Sequence, residues 1–329
     1  MIGIRIKTFF EVRRWAGLLM LVFISGVYGQ REPQYTQYMY NIGSFNPAYV
    51  GTVETLDLTG LYRSQWIDIP GAPRNFRFGM NIPFANERHG LGFNVVSDEI
   101  GPTTSTFADI AYSYQIRLSE ETRLSFGVDA GGSFLNVDFS KGSFENPGEP
   151  ILDRNNIKEF YPTVGAGLFL YQEDWYLGAS VPNFLTDGLY DEAVAIVVED
   201  KMQFNFIGGY VFDFSDNLKF KPAFLVNYIQ GAPATVNIST NFLIKDVFTL
   251  GAAYRVDNSV SGLAGFQISN TAFIGYSYDY NTNGLGEYNS GSHEVIVKFY
   301  FGRGEGRSKQ DKSKAPKGKP KQIDSPRFF

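Results

Sequence analysis

The chain has 329 residues, no cysteine and a formal net charge of −5, which excludes disulfides and thiolate metal centres. Its 30 Phe, 20 Tyr and 35 Gly against 5 Met suit strands and tight turns better than helices. The slightly negative mean hydropathy excludes a bundle of membrane helices but not a membrane β-barrel, in which half of the strand residues are polar.

In chain order, the first element is a leader. Arg5, Lys7, Arg13 and Arg14 precede the apolar run WAGLLMLVFIS at 15–25, which is too short to span a bilayer and has the length of a signal-peptide core. The small residues near its end predict cleavage after Gly29, so residues 1–29 are read as a signal peptide and the mature chain as exported. The charge of that mature chain is uneven. Residues 30–302 hold 16 Lys and Arg against 30 Asp and Glu, a net of −14, whereas 303–329 hold 9 against 3, a net of +6.

Residues 30–54 are rich in Tyr and show no clear alternation, so they are expected to form a non-strand arm. Two readings stay open: a plug or periplasmic collar that fills or caps a lumen, or an arm that only stabilises the rim. From residue 55 to 302 a two-residue period recurs. In 56–63, Leu56, Leu58 and Tyr62 oppose Asp57, Thr59 and Arg63. In 103–118, Ile110, Tyr112 and Tyr114 oppose Asp109, Ala111 and Ser113. A strand sends alternate side chains to opposite faces, so these are strands with one apolar and one polar face. Strands are placed near 55–65, 73–83, 89–98, 103–118, 121–137, 161–171, 174–182, 202–213, 217–229, 234–244, 247–256, 261–268, 271–281 and 292–302. Pro222 interrupts one of them and weakens it.

Short turns at Ser119-Glu120, Gln172-Glu173, Phe214–Asp216, Lys245-Asp246 and Ser269-Asn270 alternate with longer segments such as 138–160, 183–201 and 282–291. That alternation, about fourteen strands and apolar faces too numerous for a soluble sandwich predict a closed antiparallel transmembrane β-barrel in the outer membrane. Closure is required because an open edge in hydrocarbon leaves backbone groups unpaired at several kcal/mol each. Both barrel ends then lie on the short-turn, periplasmic side. The basic segment 303–329, rich in Lys, Pro, Gly and Ser, is expected to be a disordered periplasmic tail that can meet acidic proteins or anionic headgroups.

Individual residues carry less. The inward set Asp57, Arg63, Arg77, Asp109, Arg117, Arg123 and Asp129 mixes signs and is expected to neutralise itself inside a narrow lumen. Trp66, with Arg63 and Gln65, ends the first strand at the outer rim before a Pro-bounded loop, as an interfacial anchor or as a cargo-contact or gating loop. Asp279-Tyr-Asn281-Thr-Asn283-Gly284 opens like a calcium loop but has Ser290 where the bidentate Glu belongs, so no metal is assigned. No P-loop, nucleophile elbow or zincin motif occurs. Only Ser292 beside His293 hints at hydrolysis, without an orienting partner. No enzyme, no cofactor and no nucleic-acid partner are expected.

The words QYTQYMYNIGSFNPAYVG (34–51), YRSQW (62–66), GAP (71–73), GLGF (90–93), DEIGP (98–102) and SHEVIVKFYF (292–301) resemble the PorP/SprF family of type IX secretion-associated outer-membrane proteins. The resemblance implies a barrel that accompanies the type IX machinery. It implies partners among large secreted adhesins, whose export or surface attachment some members support, or in the periplasmic ring of the secretion and gliding apparatus. Outer-membrane lipid is the remaining partner. Asn46, Pro47, Tyr49, Arg63 and Trp66 belong to the matching words and are candidate signature or partner-contact residues. The 27 residues 303–329 depart from the family pattern, and their role is not implied by it. A diffusion channel or small-molecule transporter is the alternative function, and a filled lumen would argue against it.

Overall fold

In a computed structural model, residues 34–53, 55–141, 156–185 and 201–301 are described. The expected signal peptide with its cleavage site after Gly29, and the expected tail at 303–329, lie outside them. Fifteen strand segments follow one another: β1 (Leu56–Ser64), β2 (Arg74–Pro83), β3 (His89–Ile100), β4 (Thr103–Arg117), β5 (Arg123–Asp138), β6 (Asn156–Tyr171), β7 (Trp175–Val181), β8 (Gln203–Tyr210), β9 (Phe212–Ser215), β10 (Leu218–Ile229), β11 (Thr235–Ile244), β12 (Phe248–Arg255), β13 (Ser259–Ser269), β14 (Ala272–Asn281) and β15 (Ser292–Phe301). All pairings are antiparallel. β1 pairs with both β2 and β15, and β10 pairs with both β8 and β11, so the sheet closes on itself. Closure leaves no continuous open edge to be satisfied in lipid.

The count of fourteen and the segment count of fifteen describe one wall. β8 and β9 both pair with β10, and the ladder lapses at Tyr210 and Val211. Those two register opposite Pro222 and Lys221, and a proline has no backbone N–H to give to a ladder. On its other side, toward β7, the Val211 N–H donates to the carbonyl of Asp174 at 2.7 Å. Pro222 therefore does not end β10. It divides the neighbouring strand in two. The other difference is at β6, which begins at Asn156 rather than near 161, because Asn156–Phe160 continue the ladder with Phe134–Asp138.

Leu56 pairs with Phe301, so the barrel begins and ends at the same rim, the one that carries the short turns. At the opposite rim, β4, β5 and β6 run 15 or 16 residues, beyond the ~9–11 that cross a bilayer. The projecting part has a small apolar cluster of its own, Leu135, Val137, Ile157 and Tyr161.

The burial pattern is inside out with respect to a soluble protein. On β4 the polar positions Ser113 and Gln115 are buried, and Ile110, Tyr112 and Tyr114 are exposed, Ile110 by 59%. On β2, Asn75, Arg77 and Asn81 are buried while Phe76 is 51% exposed. The polar stripe of every such strand faces the interior and the apolar stripe faces outward, where lipid solvates it.

Candidate functional site

The interior is occupied. Residues 34–53 run down through it in three short 3₁₀ turns, Tyr38–Tyr40, Ile42–Ser44 and Pro47–Tyr49, and nearly all are buried. A segment without strand or helix periodicity leaves backbone groups that must bond elsewhere. Here they bond to the polar stripes of the wall. Glu294 on β15 accepts from the backbone N–H groups of Thr36 (2.9 Å) and Gln37 (2.8 Å). Lys298 donates to the Tyr40 carbonyl at 3.1 Å. Asn94 donates to the Gly43 carbonyl and Ser180 to that of Phe45. Gln115 donates to the Gly51 carbonyl at 2.7 Å, and the Gly51 N–H donates to Asn81 at 2.7 Å.

The arm's path follows from these partners. Thr36 lies beside Asp279, Glu294 and Arg63, which stand at the ends of β14, β15 and β1 nearest the long loops. Gly51 lies beside Asn81, Gly90 and Gln115, next to the short turns. The arm thus descends from the long-loop half of the barrel to the short-turn rim, where β1 starts. Gly51 has φ +73°, a conformation that favours glycine, and a Cβ on it would stand 2.5 Å from the Gly90 Cα. Gly127 allows the same closeness on β5, since its Cβ would lie 2.1 Å from the Ala48 nitrogen.

Arg63 is the hub of the upper anchor. It is 2% exposed and lies 2.6 Å from Asp279 and 3.0 Å from Glu294. Thr36 also donates its hydroxyl to Asp279 at 2.8 Å. A lower anchor pairs Lys298 with Asp57 at 2.9 Å. Buried charges persist only when paired and hydrogen-bonded, and both anchors meet that requirement by including the arm. Of the expected inward set, Arg63 and Asp57 form these pairs. Arg77 donates to Asn94 at 2.6 Å, Asn94 in turn to Asp109, and Arg123 reaches Glu87 in a short turn at 3.1 Å. Arg117 is a correction: it keeps the inward parity of Ala111, Ser113 and Gln115, but as the last residue of β4 it lies exposed at the short-turn rim and not inside the lumen.

The other candidate residues fall as follows. Asn46 accepts from the Ala48 N–H, capping the turn that Pro47 begins, and donates to the Leu168 carbonyl at 3.1 Å. Tyr49 packs edge-on against Phe169, ring centroids 5.5 Å apart. Asn46, Pro47, Tyr49 and Arg63 are therefore internal contacts between arm and wall. Trp66 follows β1 with φ +46°, and its N–H donates to Ser292 at 3.1 Å. Its loop is tied to the 282–291 loop through Ile67 and Gly291 (2.9 Å), and to Gly101 through Gly71 (2.9 Å). Asp279 belongs to the Arg63 anchor, and Asn283 caps a 3₁₀ turn, so the half motif for calcium is used for packing. Ser292 is buried inward, and His293, the next residue on the strand, bonds outward to Tyr276 at 2.7 Å.

Sequence reasoning had no signal for the role of Glu294 beyond its inward parity, and none for the arm contacts of Gly90 and Gly127. Those roles depend on residues far away in the chain.

Above the arm, at the long-loop end, lies a cavity of about 370 Å³. Tyr35, Tyr38, Phe45 and Pro47 of the arm form its floor, and Pro182, Asn183, Gln203, Ala232–Ala234 and Asp257 surround it at the rim.

The family model described as type IX secretion system membrane protein PorP/SprF matches residues 27–299. A search of curated proteins found no match. Among solved structures, the chain is similar to the CymD monoaromatic hydrocarbon channel, with 14% identity over 84% of this chain and 96% of that one, at a TM-score of 0.49. It is similar to a Pseudomonas aeruginosa FadL homologue at 12% identity over 83% and 96%, TM-score 0.40. It is similar to the Acinetobacter baumannii outer membrane protein Omp33 at 9% identity over 76% and 100%, TM-score 0.40.

Proposed function

The chain belongs to the PorP/SprF family of type IX secretion system membrane proteins, and on that premise we propose that it is a protein-binding accessory of the machinery rather than an open pore. In this reading it holds one or a few secreted surface proteins, or docks a component of the translocation apparatus, at the outer membrane. The observation that carries it is the filled lumen: residues 34–53 are bound to the wall from the Arg63 anchor down to Gly51. A solute crossing the barrel would have to displace them.

Recognition then falls to the ends of the barrel. At the long-loop rim, the joined 65–73 and 282–291 loops and the projecting β4–β6 sheet, held by its own buried apolar cluster, offer contact surface to an exported protein. At the other rim, Phe301 leads to the basic segment 303–329, whose nine Lys and Arg suit an acidic periplasmic partner or anionic headgroups. We assign no catalytic step. Ser292 and His293 face opposite sides of the wall, so neither can activate the other.

The experiment is a pull-down of the tagged barrel from detergent-solubilised outer membrane, paired with planar-bilayer recording. Co-purification of a secreted surface protein or a secretion-ring component, with no steady current, is the expected result. A steady open-channel current from the intact chain, with no protein partner retained, would favour the small-molecule channel instead.

A further inference from the structure

The upper end of the arm has a direction as well as a position. Glu294 holds the backbone N–H groups of Thr36 and Gln37 on the level of Arg63 and Asp279, near the long loops. From there the chain runs down to Gly51 and the short-turn rim. Toward the N-terminus it runs the other way. Tyr35 and Gln34, the first described residues, both line the cavity at the long-loop end.

A polypeptide that passes through this cavity on its way to Gln34 can come from three directions. Below, the arm itself is the floor, with Tyr35, Tyr38, Phe45 and Pro47 buried against the wall, and a close-packed interior has no room for a second chain. At the sides, the strands form a closed ladder, and a chain threading it would break backbone hydrogen bonds in hydrocarbon at several kcal/mol each. Above, the cavity opens between Pro182, Asn183, Ala232–Ala234 and Asp257. The upper route alone sacrifices no contact.

Length decides how far the end can go. With the leader cut after Gly29, Gln30–Pro33 precede Gln34, and four extended residues reach at most ~13 Å. That carries the end into the mouth of the cavity. It is too short to return past the arm through a barrel whose lipid-facing band is ~25 Å tall.

We propose that the cavity is the outlet of the chain's own N-terminal segment and that the mature N-terminus stands on the outer side of the membrane. Leu56 and Phe301, the two ends of the barrel, pair at the periplasmic rim, so the arm carries one end of the chain across to the other side. A protein at the cell surface can then touch the free end of the arm directly, and a periplasmic protein cannot. The inference goes beyond the docking role of the rim and does not rest on it: a pull-down can fail while this topology holds, and the reverse.

The chain has no cysteine, so a single introduced thiol is a unique probe. Glu32→Cys is compared with Tyr288→Cys in an outer loop, where Tyr288 is 73% exposed, and with Glu121→Cys in an exposed short turn. Each full-length variant is treated with a membrane-impermeant maleimide on intact cells and again after the outer membrane is permeabilised. Thiol reactivity follows access, so permeabilisation is expected to raise labelling of Glu121→Cys roughly tenfold or more and to leave Glu32→Cys and Tyr288→Cys unchanged. Labelling after denaturation establishes that the thiol at position 32 survives leader removal. Where it does not, Gln34→Cys is read by the same criteria. The proposal is overturned if Glu32→Cys needs permeabilisation as Glu121→Cys does. It is overturned equally if the thiol stays unlabelled in both native samples, which would enclose the end within the barrel.

Discussion

Arg63 on the first strand stands directly opposite Glu294 on the last, 3.0 Å apart and 231 residues distant in the chain, at the seam where the barrel closes. The same carboxylate receives two backbone N–H groups of the arm. One ion pair therefore joins closure of the wall to filling of the lumen.

Arg63→Ala removes the cation from between two buried carboxylates, and breaking a buried pair in this way costs roughly 3–5 kcal/mol. Glu294→Gln keeps the shape and leaves Arg63 paired with Asp279, so it is expected to cost less. Urea titration of the folded barrel in detergent should rank them in that order. Equal midpoints for both variants and the parent would remove the anchor from the account.

Gly127→Ala places a methyl group 2.1 Å from the Ala48 nitrogen without disturbing the ladder of β5. Overpacking of this kind costs roughly 1–3 kcal/mol, and here the arm is the part that can yield. The expected variant is a folded barrel, judged by the mobility difference between unheated and boiled samples on a gel, with an arm newly open to protease. It should also pass measurable current where the parent does not.

Asn46→Ala removes a helix-turn cap and a bond to the Leu168 carbonyl together. Loss of such a cap is worth about 1 kcal/mol, and the stranded carbonyl adds to it. The cost, roughly 1–2 kcal/mol, should be seen as a lower unfolding midpoint. A midpoint equal to the parent's would mean that Asn46 is not needed to seat the turn.

Val128 lies on the outward stripe of β5 and is 54% exposed. Val128→Lys is expected to cost roughly 2–4 kcal/mol if it meets the middle of the bilayer, and to reduce folding into lipid vesicles correspondingly. Glu121→Lys in the short turn at 118–122 should be nearly neutral in the same assay. Equal tolerance of both would contradict lipid as the solvent of that stripe.

The wall was legible in the sequence because its signal is local. Strand parity in 56–63 and 103–118 assigns Thr59, Arg63 and Ser113 inward and Tyr62 and Ile110 outward, as the structure does. The arm was not legible, because nothing within 30–54 distinguishes a filler from a collar. Its position is decided by Glu294, Ser180 and Gln115, each on a different strand. Asp279 shows the same limit from the other side: its near neighbours spell half a calcium loop, while its partner, Arg63, comes from the other end of the chain. Pro222 was read as a weakness of its own strand, but the strain is relieved next door, between β8 and β9, where a single-strand reading cannot see it.

The arm is continuous with β1, yet its grip depends on β15, so biogenesis has a forced order. The stopper is synthesised before the last stave, and Glu294 can seize Thr36 and Gln37 only once the cylinder is being sealed. Sealing and corking are one event, and a half-assembled molecule should be leaky and unlatched in the same measure.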